Sequence, residues 1–261
     1  MIRAGAGMFG AGKQRKQDSR RLWRGVTAAA AAGALLAGCG AGGDKGGAAS
    51  NGSGKPSAPA AGQKALTEAD LKAAAFEDGE RIGTYRAHED AYGPLDENYT
   101  ADPARCQPLV SLTHGATDHD PVAEVNRDVD IADEVMGVGV LVQLRSYEGA
   151  TAAAVMKNLA AAGTACAGGF TEERALTHAK VLEVEPVKAP GIGDEALAYH
   201  LTVLDVKGKL KLHEYLTVVR SGSTTLSFRG EYLGTKDIKE VPPEIIDAQW
   251  KKFRAGRTGG V

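Results

Sequence analysis

The sequence has no G-x-S-x-G elbow and no H-E-x-x-H pair, the arrangements that would mark a serine hydrolase or a zinc protease. It also lacks a spanning helix near its start: the apolar stretch Val26 to Leu36 is well short of the roughly 20 residues a bilayer requires. Acid/base carboxylate pairs are missing too, because Asp194 and Glu195 are neighbours and on a strand would point to opposite faces. Cysteine is scarce, with only Cys39, Cys106 and Cys166 among 261 residues. Basic residues are concentrated at the start. Seven of the 31 Lys and Arg precede Cys39, against one of the 33 Asp and Glu, so the remainder carries a formal charge of −8. An acidic chain with no Lys/Arg cluster excludes nucleic acid and anionic lipid as main partners. No motif implies a cofactor or metal, and no catalytic residues are expected.

What is present begins with an export signal. Lys13, Arg15, Lys16, Arg20, Arg21 and Arg24 form a basic region, followed by Val26 to Leu36 and then small residues. Leu36-Ala37-Gly38-Cys39 resembles the lipobox of bacterial lipoproteins. That resemblance implies transfer of diacylglycerol to the Cys39 thiol, cleavage before Cys39, and acyl chains such as palmitate as the anchor. Two chains, at about 0.8 kcal/mol per buried CH₂, hold a protein at a membrane where one does not. The competing arrangement is a free cysteine ending an uncleaved Ala-rich helix. Ser19-Arg20-Arg21-Leu22-Trp23 resembles a twin-arginine signal and equally fits an ordinary basic region. Gly5-Ala6-Gly7-Met8-Phe9-Gly10 matches a dinucleotide fingerprint, but no strand precedes it and it falls in the removed segment.

The expected organisation is a signal peptide over 1–38, a lipidated tether over 39–65, one domain over 66–256 and a disordered tail over 257–261. The Gly, Ala, Ser and Pro of the tether cannot bury enough surface to offset ordering entropy. With Cys39 lipidated in an oxidising compartment, Cys106 and Cys166 are left as one disulfide; two free buried thiols are the alternative. Thr67 and Asp70 form a capping-box start to a helix reaching about Ala75, with Leu66 and Leu71 as a hydrophobic staple. Glu77 to Ala104 reads as loop with a short strand near Ile82 to Arg86. His114-Gly115-Ala116-Thr117-Asp118-His119-Asp120 raises a metal site, but its spacing fits no zinc motif and suits an exposed loop as well. Val138 to Arg145 alternates as a strand, with Val138, Val140, Val142 and Leu144 on one face. A helix follows, with Ser146 as N-cap and Gly163 as its stop, and a further strand spans Ala179 to Val187.

Strands near Ala196 to Val206, Leu210 to Val219 and Ser223 to Gly230, turning at Lys207-Gly208 and Ser221-Gly222, predict a three-stranded antiparallel meander. With one or two earlier strands and helices packed on them, the fold class is α+β. Two-residue turns set Leu197, Tyr199, Leu201, Val203, Leu212, Leu216 and Val218 on the core face, with Glu214 opposite Arg229. The other face carries His200, Thr202, His213, Tyr215, Thr217, Leu226 and Phe228, with His200 facing Tyr215 and Tyr215 facing Phe228. His200, His213, Tyr215 and Phe228 are therefore the candidate ligand-binding residues. The same face equally suits a sheet covered by a C-terminal helix that starts near Pro242-Pro243 and carries Ile245, Ile246, Gln249, Trp250 and Phe253.

Leu66-Thr67-Glu68-Ala69-Asp70-Leu71, Cys106-Gln107-Pro108-Leu109, Ala165-Cys166-Ala167-Gly168 and Gly193-Asp194-Glu195-Ala196-Leu197 share a pattern over roughly residues 64 to 255. With the lipobox and tether, the chain resembles actinobacterial cell-envelope lipoproteins of the sensor-domain type, related to the extracellular domain of a mycobacterial serine/threonine kinase. The resemblance implies an α/β sandwich of antiparallel sheet and helices, with a cleft for an unknown ligand. Only Cys39, Cys106 and Cys166 carry over as individual residues. The expected function is a non-catalytic, membrane-anchored, extracytoplasmic module that binds or senses an unidentified small molecule. A lipoprotein that docks another envelope protein is one alternative, and a cell-envelope hydrolase is another. Cys39→Ala is expected to move the protein from the membrane fraction to the soluble fraction on cell fractionation; a variant that stays with the membrane would remove the anchor.

Overall fold

A computed structural model describes residues 64–90, 99–114, 119–131, 138–174, 177–205, 207–232 and 237–258. The signal segment, Cys39, nearly all of the tether and residues 259–261 lie outside these. The described residues belong to one compact unit, Lys55–Val261. Among them are ten strands: β1 (Arg81–Ile82), β2 (Tyr85–Glu89), β3 (Thr100–Asp102), β4 (Ala123–Asp130), β5 (Val138–Ser146), β6 (Phe170–Arg174), β7 (Thr177–Pro186), β8 (Glu195–Leu204), β9 (Lys211–Ser221) and β10 (Thr224–Tyr232). Four helices join them: α1 (Glu68–Ala74), α2 (Gln107–Thr113), α3 (Thr151–Ala165) and α4 (Pro243–Thr258). The α+β class and antiparallel pairing hold, but the sheet is larger than expected. All ten strands form one sheet in the order β1-β2-β4-β5-β10-β9-β8-β7-β6-β3, so the expected three-stranded unit with one or two companions is corrected.

Helices cover both faces. On one side α2 and α3 pack over Tyr199, Leu201, Val203, Leu216 and Val218. On the other, α1 and α4 pack over Val125, Val129, Val140, Val142, Leu144, Tyr215, Leu226 and Phe228. Thr67 and Asp70 close the capping box of α1. The Gln249 side chain, fully buried in α4, accepts from Phe76 N–H and donates to the Ala74 carbonyl, satisfying backbone groups that the end of α1 leaves open. Cys106 and Cys166 form a disulfide with Cα atoms 5.9 Å apart, tying the turn before α2 to the end of α3. Closing that 60-residue separation contributes about 4 kcal/mol in the chain-entropy account.

Several local expectations are corrected. Ser146 ends β5 and accepts a hydrogen bond from Leu66 N–H at 2.7 Å; α3 starts at Thr151, with Ala150 as its N-cap. Gly163 does not stop α3, which continues through Ala165. Its missing side chain is used instead by Tyr199, whose ring lies 2.3 Å from where a Cβ would be. The expected strand near Ile82 is a pair, β1 and β2, turned at left-handed Gly83. Across β8 and β9 the register matches expectation, with His200 opposite Tyr215. The β9–β10 turn is displaced because left-handed Gly222 occupies its first loop position. Ser221 pairs with Thr224, so Tyr215 faces Gly230, Phe228 faces Thr217 and Arg229 faces Leu216. The displacement is two residues, so the faces are unchanged.

Strands β4 and β6 place charged residues inside. Arg145 of β5 is 1% exposed and bonds Glu124 of β4 at 2.7 Å. Glu172 of β6 lies 2.7 Å from Arg174 Nε and 2.9 Å from His114 Nε2. An ionised carboxylate only accepts, so that imidazole nitrogen carries its proton. Burial would raise the Glu172 carboxyl, but the bonds from His114 and Arg174 outweigh it and hold it below the usual carboxylate range. His119, weighed with His114 as a metal pair, lies 3.3 Å from Asn158; Asp118 is outside the described residues.

Gly163→Ala is expected to reverse the usual helix gain of about 1 kcal/mol and destabilise by about 1–3 kcal/mol in urea unfolding, because the added methyl meets Tyr199. Unchanged or higher stability would show that the ring is not held there. A depressed carboxyl stabilises the fold above its unfolded-state value and loses that contribution as pH falls through the folded one. The stability gap between the wild-type chain and Glu172→Gln should therefore be widest near neutral pH and close below about pH 4; a gap that stays constant would contradict the assignment.

Candidate functional site

Alternation puts every second side chain of β7, β8 and β9 on the α4 side of the sheet. One row across that face runs Glu185, His200, Tyr215 and Gly230, from β7 to β10. His213 stands one step along β9, opposite Thr202. Gly230 leaves the end of the row open. A Cβ there would make ordinary van der Waals contact with Val241 and Ile238 at 3.5–3.6 Å, so the chain before α4 lies directly over this position. That approach delivers Asp237.

The resulting cluster is continuous. His200 Nδ1 lies 3.2 Å from Glu185 Oε2, and His200 Nε2 lies 2.9 Å from His213 Nδ1. The carboxylate accepts, so His200 carries its proton on Nδ1 and offers the Nε2 lone pair to His213 Nδ1–H. The two imidazoles are 17° from parallel with centroids 5.1 Å apart, and the Tyr215 ring stacks on His200 at 4.7 Å. The Tyr215 hydroxyl donates to Asp237 Oδ1, which also accepts from Lys239 N–H at 2.7 Å. Burial, followed by the bond to Asp237, pushes the Tyr215 phenol well above its ordinary value, so it remains a donor at physiological pH. Burial opposes ionisation of Asp237, but the bonds from Tyr215 and Lys239 prevail and hold its carboxyl low. His200 and His213 are half-buried and Asp237 is exposed.

Tyr215 also forms one wall of a cavity of about 180 Å³. Thr217 lies beside it on β9, Val241 and Ile246 close it from the α4 side, and Lys188 and Glu240 contribute charged groups. The floor is thus aromatic and hydroxylic, the roof aliphatic and the surroundings charged.

Of the residues expected from sequence, the structure brings His200, His213 and Tyr215 together. Phe228 is not with them: it is fully buried between the sheet and the α1/α4 layer. Glu185 and Asp237 were not anticipated, whereas Ile246 was expected on a C-terminal helix that could cover this face. Asp237 carries no local signal, since it reaches Tyr215 from the segment between β10 and α4. Glu185 lies in the strand expected over Ala179 to Val187, but its pairing with His200 comes from a β7–β8 register that the sequence did not predict. Cys106 and Cys166 are bonded to each other, remote from this cluster in the α2/α3 layer. Cys39 lies outside the described residues.

No family model matches the chain, and no curated protein matches it. Among solved structures, the extracellular domain of PknH from Mycobacterium tuberculosis aligns at a TM-score of 0.49 and 12% identity, covering 76% of this chain and 100% of that one. An Rv0999 ortholog from Mycobacterium smegmatis, itself uncharacterized, aligns at 0.35 and 15% identity over 73% of this chain and 93% of the other.

Proposed function

We propose that this chain is a lipid-anchored, extracytoplasmic, non-catalytic module that binds a small, partly apolar molecule between the β8–β9 face and the start of α4. The observation that carries this reading is the cavity walled by Tyr215, Thr217, Val241 and Ile246. Apolar walls with a few polar groups are the usual composition of a small-molecule site. Its volume of about 180 Å³ is below the roughly 300–1,000 Å³ of drug-sized sites, so the occupant is a small metabolite. Lys188 and Glu240 would engage polar ends while the alkyl or ring portion meets Ile246 and Val241.

Cys39, with its lipobox, supplies the anchor in this reading. Among the described residues no helix is long and apolar enough to cross a membrane. The cluster beside the cavity has hydrogen-bonded imidazoles and a phenol held protonated, an arrangement that orients donors and contains no activated nucleophile.

Native mass spectrometry of the full chain, extracted from its membrane in mild detergent, is expected to show a discrete small-molecule adduct. Thr217→Leu and Ile246→Phe should each abolish the adduct while the disulfide-bonded fold and its thermal midpoint are retained. A bare mass for the wild-type chain, with no thermal shift on adding fractionated envelope extract, would overturn small-molecule binding. An adduct unaffected by both substitutions would move the site away from this cavity.

A further inference from the structure

We infer that His200, His213 and Asp237 form a binding site for one divalent transition-metal ion of the zinc type. Three potential ligand atoms, one from each residue, lie within 4.8 Å of one another. Two come from neighbouring antiparallel strands, so the sheet fixes their spacing. The third comes from the segment that crosses the sheet at Gly230. Two neutral imidazole nitrogens and one carboxylate oxygen are a common donor set for zinc with an open fourth position.

The spacing of the histidine pair suits such an ion. Nitrogens on one tetrahedral zinc stand about 3.3 Å apart when each bond is 2.0–2.1 Å. His200 Nε2 and His213 Nδ1 are 2.9 Å apart, so a shift of about 0.4 Å in side-chain position admits the ion between them. Seating it requires one change of tautomer. His213 moves its proton from Nδ1 to Nε2, and no net proton is lost. His200 already presents the required lone pair.

The surrounding groups are placed as a metal site needs them. Metal-bound histidines commonly donate their other ring N–H to a carboxylate, which fixes the tautomer and strengthens the ligand. Glu185 does this for His200 at 3.2 Å. Asp237 is held in the same manner. Tyr215 hydroxyl and Lys239 N–H both donate to Oδ1, which fixes the carboxylate beside the histidine pair. Exposure of Asp237 gives an entry path and room for water or another ligand at the fourth position. The inference does not depend on which molecule fills the neighbouring cavity.

The test is isothermal titration of the purified, chelator-treated full chain with ZnCl₂, supported by the visible spectrum of the Co²⁺ form. One Zn²⁺ per chain is expected. H200A and H213A should each weaken binding at least about 100-fold and abolish the cobalt spectrum, while D237N and E185Q should weaken it about 10–100-fold. H88A, at a histidine on the distant strand β2, should leave binding unchanged. Glu185 is half-exposed, so E185Q tests the site even if a histidine variant misfolds. Failure to bind one Zn²⁺, or equal binding by folded H200A and H213A, overturns the site. Small-molecule adducts are read on the same variants: their persistence after zinc binding is lost shows that the cavity reading stands without the metal.

Discussion

The antiparallel pairing of β5 with β10 is the contact on which the rest of the molecule depends. Strands β1, β2, β4 and β5 form one run, β3 and β6 to β10 form another, and only this seam makes them a single sheet. Its two members are far apart in sequence, so the pairing carries a large loop-closure cost that local turns do not. Burial on both faces offsets that cost. Val140, Val142 and Leu144 meet Leu226 and Phe228 under α1 and α4, while Arg145 and Gln143 occupy the other side of the same strand. The polar side is stabilised by hydrogen bonds, with Arg145 on Glu124 and Gln143 on Asn126. A buried charge of this type is tolerable only when its partner is present.

The candidate site depends on the same seam at one remove. Gly230 lies in β10, opposite Val140 on one edge and Tyr215 on the other. The segment carrying Asp237, Ile238 and Val241 lies over this position. Tyr215 then has two roles: its hydroxyl holds Asp237 and its ring lines the cavity. The histidine pair is thus positioned by regular strand geometry, whereas its acidic partner is positioned by the bonds from Tyr215 and Lys239.

This division explains how much was legible in the sequence. The alternation of β8 and β9 is strong, so the His200–Tyr215 pairing and the shared face with His213 follow from it. The next turn is not so well marked. Ser221-Gly222 and Gly222-Ser223 both look like two-residue loops, and only the left-handed backbone of Gly222 decides between them. Phe228 consequently moved from beside Tyr215 to beside Thr217 and into the core. Strand β4 escaped notice because Glu124, Arg127, Asp128 and Asp130 mask the spacing of Ala123, Val125 and Val129. Strand β6 carries Glu172 at an inward position, where a pattern search expects an apolar residue. Hydrophobic periodicity does not register a charge that is satisfied by its neighbours. Gly163 misled for a related reason, since a glycine that ends a helix and one that admits a ring look alike in one dimension.

The placement of α4 has a bearing on biosynthesis. It follows all ten strands in the chain, yet Gln249 and Phe253 complete the layer over α1 and the first strands. A polypeptide delivered from its N-terminus therefore presents Leu71, Phe76 and the apolar side of β4 and β5 long before their cover has emerged. Until α4 arrives, that surface lacks the cover that Gln249 and Phe253 give it.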